Sequence, residues 1–210
     1  ALPISDFQNF EKNNRTWLDD YAEFMAFKEH FGNKALQKWE DKQLIARQPK
    51  ALEKYRAMLK EKIQYFKVTQ YFFFQQWKAL KAYANRKGIQ IIGDMPIYVA
   101  ADSVEVWTKP ELFQLDAERN PRFVAGVPAD QFSATGQLWG NPLYDWAAHK
   151  KQHYAWWIHR IEESFKIYDV LRIDHFKGFS DYWQVDGKAD IAKYGCWQPG
   201  PGYDLFKAIK

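Results

Sequence analysis

The sequence has a single cysteine, Cys196, among its 210 residues. An internal disulfide is therefore excluded, which suits a reducing compartment, and we expect a cytoplasmic protein. No histidine lies close to Cys196 in the sequence, so we do not expect it to be a nucleophile. No apolar run approaches the length of a membrane span and no signal peptide opens the chain, so we expect no membrane association. The first residues have the character of a loop inside a longer protein, and we interpret the chain as an internal piece.

The sequence also lacks a dense basic stripe. The formal net charge is only +4, and Lys and Arg are interspersed with Asp and Glu. Such mixed charge is typical of solvated helix faces rather than of surfaces that follow a phosphate backbone, so no nucleic-acid partner is expected. Glycine-rich phosphate loops and a Gly-x-Ser-x-Gly turn are absent, and no cofactor is expected.

Aromatic residues, by contrast, are abundant. They make up 18% of the chain and include ten tryptophans. Large rings fill hydrophobic cores, and they also form stacking platforms for sugars and bases. The excess alone leaves both interpretations open.

Apolar spacing predicts several helices and two short strands. Helical periodicity covers residues 14–31, 35–46, 49–88 and 147–168. The aromatic stripe of the third segment is interpreted as core packing. Residues 89–92 and 170–174 have the composition of strands, the first of a strand buried on both faces.

The order of these elements predicts an α/β protein with parallel βα units. Between residues 96 and 146 there is little periodicity, which predicts a long functional loop. In a βα barrel the functional groups lie at the carboxyl ends of the strands, and Asp94 and Asp174 both fall at such ends.

The second strand ends in Arg172-Ile173-Asp174. Alternate residues of a strand share a face, so the arginine lies beside the acid and favours its ionised form. An ionised, oriented carboxylate is what a covalent glycosyl-transfer nucleophile must be. The same pattern is typical of an ion pair that closes a sheet edge, so the local sequence leaves a structural role open.

Residues 126–146 alternate polar and aromatic side chains. Phe132, Trp139 and Tyr144 can offer ring faces, and Asn141 can offer hydrogen bonds. Sugars need both, because their hydroxyls take hydrogen bonds and their C–H faces stack on rings. A surface loop packed on itself is the alternative.

His175 follows Asp174 and allows three interpretations. It could donate to a sugar hydroxyl, serve as a structural histidine, or join Asp174 in a metal site. A metal site needs three or four ligands, and no second histidine lies at ligand spacing, so no metal is expected.

Four segments together resemble the 4-α-glucanotransferases of the amylomaltase (disproportionating enzyme) type, glycoside hydrolase family 77. They read Trp-Leu-Asp-Asp-Tyr-Ala, Ile-Gly-Asp-Met-Pro-Ile-Tyr-Val-Ala, Gly-Val-Pro through Trp-Gly-Asn-Pro-Leu-Tyr, and Arg-Ile-Asp-His-Phe-Lys-Gly-Phe. They occur in the family's order, at residues 17–22, 92–100, 126–144 and 172–179. The resemblance runs through nearly all of the chain.

This resemblance implies part of a (β/α)8 TIM barrel of the α-amylase-like clan, with helical insertions. Residues 1–48 are then predicted to be a helical insertion subdomain. Residues 49–210 are predicted to be a partial catalytic barrel that includes a long substrate loop at residues 95–146.

The resemblance also implies a retaining double displacement that moves an α-1,4-glucan segment to another glucan or to glucose. It places the nucleophile on Asp174 and its orienting partner on Arg172. It makes Asp94 a substrate-site acid, and it places Phe132 and Trp139 in a loop that shapes the acceptor side. Asn141 and His175, as hydrogen-bonding groups, complete the predicted substrate site.

In this family the general acid/base is a glutamate in an Ala-Glu-Asp-Leu-Gly-like motif on the next barrel strand, and that motif is absent from this chain. Retaining glycosidases need two carboxyl groups about 5 Å apart. We therefore expect the chain to hold the nucleophile without its acid and to be inactive alone.

The expected partners are α-1,4-glucans and maltooligosaccharides, with glucose as an acceptor. Two other functions stay open: a non-catalytic α-glucan-binding protein that uses the same aromatic loop, and an α-glucan hydrolase of the same clan. The oligomeric state does not follow from the sequence.

Overall fold

The chain divides into two compact units, which are described separately. In a computed structural model the described residues are 4–210. The residues up to Lys87 group into one unit and Gly88–Lys210 into the other. The domain division after residue 48 stays a prediction. None of the helices formed by residues 4–210 is long and apolar enough to cross a membrane.

The first unit is helical. Its α-helices are α1 (Ile4–His30), α2 (Lys42–Ile45), α3 (Pro49–Met58) and α4 (Lys60–Arg86), with a 3-10 turn at Leu36–Lys38. The helix predicted to end near residue 31 is confirmed, although it begins earlier than its periodicity indicates. It ends where Gly32 adopts a left-handed backbone with φ 68°, as glycine commonly does after a helix.

The single helix predicted over residues 49–88 is wrong, because two helices cover this segment. At Leu59, φ is −111° and ψ is 21°, which interrupts the helix while the apolar spacing continues on both sides. The aromatic stripe predicted for this segment is also only partly core. Tyr55 is buried, whereas Phe73 and Leu80 are exposed.

Within this unit, ring contacts and ion pairs hold the helices together. Phe10 of α1 contacts Tyr71 and Phe74 of α4, with ring centroids 5.6 and 5.7 Å apart. Arg56 of α3 donates two hydrogen bonds, 2.7 and 3.0 Å long, to the nearly buried carboxylate of Glu23 on α1. A planar guanidinium that binds both carboxylate oxygens fixes the angle between two elements as well as their distance.

The second unit combines helices and strands. Its strands are β1 (Ile92–Met95), β2 (Phe123–Val127), β3 (Gln137–Pro142), β4 (Val170–Ile173), β5 (Asp181–Asp186) and β6 (Gly195–Pro199). Its α-helices are α5 (Val104–Thr108), α6 (Trp146–Lys151), α7 (Ala155–Ile167) and α8 (Tyr203–Ile209). β1 and β4 pair in parallel, and the other four strands form an antiparallel sheet in the order β3-β2-β5-β6. The predicted α/β class is confirmed.

One face of β1 is buried, and its other face is exposed. A Cβ atom on Gly93 would lie 2.1 Å from the ring of Tyr168, so only glycine allows this close approach. Met95 is also buried, whereas Ile92 is 67% exposed. The predicted burial on both faces is therefore wrong for the described residues, because a two-stranded sheet leaves much of its surface uncovered.

Regular structure also occupies much of the region predicted as a long loop. α5, β2 and β3 all lie between residues 96 and 146. β2 pairs with β5 far along the chain, with Ala125 opposite Gln184. Such pairing depends on partners that a local window does not contain, so the short apolar run of β2 gives no usable signal.

Many of the aromatic side chains in this unit fill a core. Trp107, Tyr144, Trp157 and Phe179 are among the largest buried side chains. The rings of Tyr144 and Trp157 lie 5.5 Å apart and those of Trp157 and Phe179 lie 5.2 Å apart. For these residues, core packing accounts for the aromatic excess.

Candidate active site

The parallel pairing of β1 and β4 brings the two predicted acids together. Asp94 lies opposite Arg172 in the register. The backbone N–H of Asp174 donates to the carbonyl oxygen of Met95 at 3.0 Å, which extends the pairing past the end of β4. Because alternate residues of a strand share a face, Arg172 and both acids lie on the same side of the sheet.

Arg172 joins the two carboxylates. Its Nη1 lies 2.5 Å from Oδ2 of Asp94, and its Nη2 lies 2.7 Å from Oδ1 of Asp174. The three side chains are 57–60% exposed, so a ligand can reach them. The guanidinium orients one oxygen of each acid. Within residues 4–210, the second oxygen of each acid stays available to a ligand. A carboxylate oriented in this way can act as a nucleophile.

His175 adopts a left-handed backbone, with φ 51° and ψ 44°, so the chain turns sharply after Asp174. Its ring meets Trp139 edge to face, with centroids 4.8 Å apart. Burial lowers the pKa of His175 below its ordinary value, although the nearby Asp174 carboxylate opposes this change. A neutral imidazole at this position supplies one N–H donor and one nitrogen acceptor.

The loop between β2 and β3 is stabilised by its own hydrogen bonds. The carboxylate of Asp130 accepts from the backbone N–H groups of Phe132 and Ser133, each at 2.8 Å. The hydroxyl of Ser133 donates to the carbonyl oxygen of Gly136 at 2.8 Å. This ordered loop holds Phe132 with 88% of its surface exposed, which makes the ring available for stacking.

Trp139 and Asn141 lie on β3 and connect the loop to the rest of the site. Trp139 contacts Tyr98 as well as His175, with ring centroids 6.4 Å apart in the Tyr98 pair. The side-chain amide of Asn141 donates to the carbonyl oxygen of Val99 at 2.8 Å. Its amide oxygen and a second N–H group remain for a ligand.

Two residues that bind the segment after β1, Tyr144 and Arg160, could not be predicted to do so from the sequence pattern. Tyr144 is 1% exposed, so its expected role as a ring platform is wrong. It is packed against Trp157, and its hydroxyl donates to the carbonyl oxygen of Ile97 at 2.7 Å. Arg160 on α7 also donates to backbone carbonyls of this segment. A single arginine on a mixed-charge helix looks like part of a solvated face, so sequence gives no signal for it.

The structure thus brings some, but not all, of the predicted site residues into contact. Ion pairs connect Asp94, Arg172 and Asp174, and a ring contact connects His175 to Trp139. Asn141 is tied to the segment after β1, and Phe132 projects into solvent. The catalytic and binding roles of these residues stay predictions.

Known sequences that are similar to this chain match it over nearly its whole length, and they are named 4-alpha-glucanotransferases. A family model described as 4-alpha-glucanotransferase matches residues 3–210. The 4-alpha-glucanotransferase of Streptococcus pneumoniae serotype 4 is 54% identical over 207 residues, which cover 99% of this chain and 41% of that protein. The 4-alpha-glucanotransferase of Clostridium butyricum is 49% identical over 205 residues, which cover 97% of this chain and 42% of that protein.

The chain is also similar to solved structures of amylomaltases. The amylomaltase from Streptococcus agalactiae in complex with acarbose has a TM-score of 0.95 and 61% identity, covering 97% of this chain and 41% of that one. The amylomaltase from Corynebacterium glutamicum has a TM-score of 0.75 at 15% identity, covering 98% and 26%, which is a likeness of fold alone. This chain spans about 41% of the length of the pneumococcal relative. It belongs to the 4-alpha-glucanotransferase family, glycoside hydrolase family 77.

Proposed function

We propose that this chain is the central part of a 4-α-glucanotransferase, which transfers α-1,4-glucan segments between maltooligosaccharides by a retaining double displacement. The observation that carries the proposal is the bridge from Arg172 to Asp94 and Asp174. Membership of the family and the names of the relatives support the reaction. The acarbose complex of the Streptococcus agalactiae amylomaltase supports an α-glucan oligosaccharide as the ligand.

In the first half-reaction, a carboxylate oxygen of Asp174 attacks the anomeric carbon of the donor, and the glycosidic C–O bond breaks. Arg172 holds the other carboxylate oxygen, which keeps the attacking oxygen of Asp174 aimed at that carbon. The leaving oxygen takes a proton from a glutamate that we place outside this chain. The product of this step is a glucosyl ester of Asp174.

In the second half-reaction, a hydroxyl of an acceptor glucan or of glucose attacks the same carbon. Its proton goes to the glutamate, and Asp174 departs as a carboxylate, so two inversions retain the configuration. Asp94 and the neutral His175 bind sugar hydroxyls near the reacting centre. Trp139, Phe132 and the remaining polar atoms of Asn141 contact the glucan.

We further propose that β1 and β4 are neighbouring strands of a (β/α)8 barrel, with residues 1–48 as a helical insertion and residues 49–210 as part of the barrel. Acids at the carboxyl ends of parallel strands support this arrangement. The exposed apolar side chains of Ile92 and Val170 support it too, since further strands would cover them. The lone Cys196, a free thiol, supports the proposed cytoplasmic location.

The test is Asp174→Asn in the full-length protein, assayed by disproportionation of maltotriose. Loss of the nucleophile should lower kcat by about a thousandfold or more. Asp190→Asn is the matched control, because Asp190 is an exposed aspartate of the same unit, and it should keep full activity. Retained disproportionation in Asp174→Asn would overturn the assignment.

The reaction products distinguish a transferase from a hydrolase and from a binding protein. Transfer products should dominate over free glucose formed by hydrolysis. Mainly hydrolytic products would favour a hydrolase, and maltooligosaccharide binding without turnover would favour a binding protein. The isolated 210-residue chain should be inactive because it lacks the proposed glutamate, and glucose release by it would contradict this expectation.

A further inference from the structure

The segment that follows Asp94 is held by three consecutive backbone carbonyls. The oxygen of Met95 accepts from the N–H of Asp174 at 3.0 Å. The oxygen of Pro96 accepts from Nη2 of Arg160 at 2.7 Å. The oxygen of Ile97 accepts from Nη1 of Arg160 at 3.0 Å. One arginine therefore fixes the two successive carbonyl groups of Pro96 and Ile97. They follow directly on Met95, whose carbonyl group binds the backbone of the proposed nucleophile.

Arg160 is itself held in place on several sides. Its guanidinium carbon lies 5.4 Å from the ring centroid of Trp156 and 5.0 Å from that of Trp157. Its Nη1 also donates to the hydroxyl of Tyr144 at 3.2 Å, and that hydroxyl donates in turn to Ile97. A planar guanidinium stacked on rings loses little conformational freedom when it binds, so it can hold two carbonyls in one geometry.

The helix that carries Arg160 also leads directly into β4, the strand of Arg172. One turn further along α7, the hydroxyl of Ser164 contacts Sδ of Met95 at 3.7 Å. α7 therefore contacts both β1, the strand of Asp94, and the segment after β1. The strand that follows α7 carries Arg172, which bridges both acids. A displacement of the segment after β1 would change the position of Asp94 relative to Arg172.

We infer that Arg160 is a positioning residue for the proposed transfer reaction: it fixes the backbone after Asp94, and through it the relative position of Asp94, Arg172 and Asp174. The inference rests on the proposed function, because it concerns the same site. Arg160 acts through the backbone and the acids, so its loss should affect the transition state more than the binding of substrate. Misplacement of reacting groups by about 1 Å can cost about a hundredfold in rate.

The experiment compares Arg160→Gln and Arg160→Lys with wild type in the full-length protein, using maltotriose. Arg160→Gln should lower kcat by about 30- to 100-fold while KM changes less than about threefold. Arg160→Lys keeps the charge but cannot span two carbonyls in one plane, so it should lie between Arg160→Gln and wild type. Lys166→Gln is the control, because Lys166 is an exposed cation of the same helix that pairs with Glu163, and its kcat should be unchanged.

A second readout separates positioning from simple loss of folded protein. The thermal midpoint of each variant is measured, together with the rate at which a fluorinated α-glucosyl fluoride labels Asp174. A folded Arg160→Gln with slow labelling and a nearly unchanged KM supports the inference. Wild-type kcat, a rise of KM alone, or a loss of activity that only follows the unfolded fraction would overturn it.

Two further outcomes are distinguishable. Should Arg160→Gln fail to fold, Arg160→Lys decides by the same criteria. Should the wild-type protein itself show no transfer, the proposed function fails. An active wild type with a fully active Arg160→Gln overturns only the inference about Arg160.

Discussion

Arg172 on β4 lies directly opposite Asp94 on β1, and this register allows one guanidinium to bind two carboxylates. A shift of the pairing by one residue would turn Arg172 to the other face of the sheet. The relative position of Asp94 and Asp174 therefore depends on strand pairing as much as on the acids themselves. Two parallel strands build the site by bringing together residues far apart in the sequence.

Arg172→Lys should impair catalysis although it keeps the charge. A single ammonium cannot bind Asp94 and Asp174 in the fork geometry of a guanidinium. We expect kcat for maltotriose disproportionation to fall by about a hundredfold in the full-length protein. Arg122→Lys, an exposed arginine of the same unit, is the matched control. Wild-type kcat in Arg172→Lys would show that the bridge has no catalytic role.

Phe132→Ala should weaken acceptor binding and leave stability unchanged. Because the ring is almost fully exposed, its removal should change the free energy of unfolding by less than about 0.5 kcal/mol. The KM for the acceptor should rise about 5- to 10-fold if one ring stacks on a sugar, a loss of about 1 kcal/mol. Thr135→Ala in the same loop should change neither quantity. An unchanged acceptor KM in Phe132→Ala would remove this residue from the proposed site.

His149 on α6 makes the stability of its unit depend on pH. It is buried beside the rings of Tyr144 and Trp146, and this burial lowers its pKa to about 4. Between its ordinary pKa of about 6.5 and that value, the unfolded chain binds a proton that the folded chain does not. The contribution to stability is therefore complete above about pH 6.5 and falls with decreasing pH, by up to about 1.4 kcal/mol per pH unit.

Thermal unfolding of the full-length protein between pH 4.5 and 7.5 tests this dependence. His149→Phe replaces the titrating group by a ring of similar shape, so its midpoint should fall less steeply toward acid pH than that of wild type. His159→Gln is the control, because His159 is a partly exposed histidine of the same unit, and it should keep the wild-type slope. Equal slopes for wild type and His149→Phe would contradict the prediction.

Arg56→Met should destabilise the helical unit. The Glu23 side chain is only 10% exposed, so removal of Arg56 leaves a carboxylate without its cation in a poorly hydrated place. We expect a loss of about 3 kcal/mol in the opening free energy of α3. Lys62→Met removes a pair with Glu29 in which both side chains are over 40% exposed, and should cost less than about 1 kcal/mol. Native-state hydrogen exchange measures these values, on the α3 amides for Arg56→Met and on the α4 amides for Lys62→Met, and equal losses would contradict the argument.

The acid site could be predicted from sequence because its signals are local. Arg172 and Asp174 are two residues apart on one strand, and this spacing alone places them on one face. Asp94 follows from the same rule at the end of the other apolar run. Parallel strands then bring the two ends to one edge, which is a general property of βα units.

The structural roles that could not be predicted from the sequence depend on partners distant in the chain. Tyr144 looks like other loop aromatics, but Trp157, on a later helix, covers it. The role of Arg160 depends on carbonyl groups, which every residue carries and no sequence pattern marks. The break at Leu59 is equally invisible, because its backbone angles change while the apolar spacing does not.

The hydrogen bond from the backbone N–H of Asp174 to Met95 has one more consequence. A glycosyl-transfer nucleophile of the proposed kind works twice in each cycle, first in forming an ester and then in releasing it. The backbone of Asp174 is held to β1 by this bond, so under the proposed function we expect the attacking and the departing carboxylate to occupy nearly the same position. We then expect the forward and the reverse transfer to use the same geometry at Asp174, without a rearrangement of the main chain.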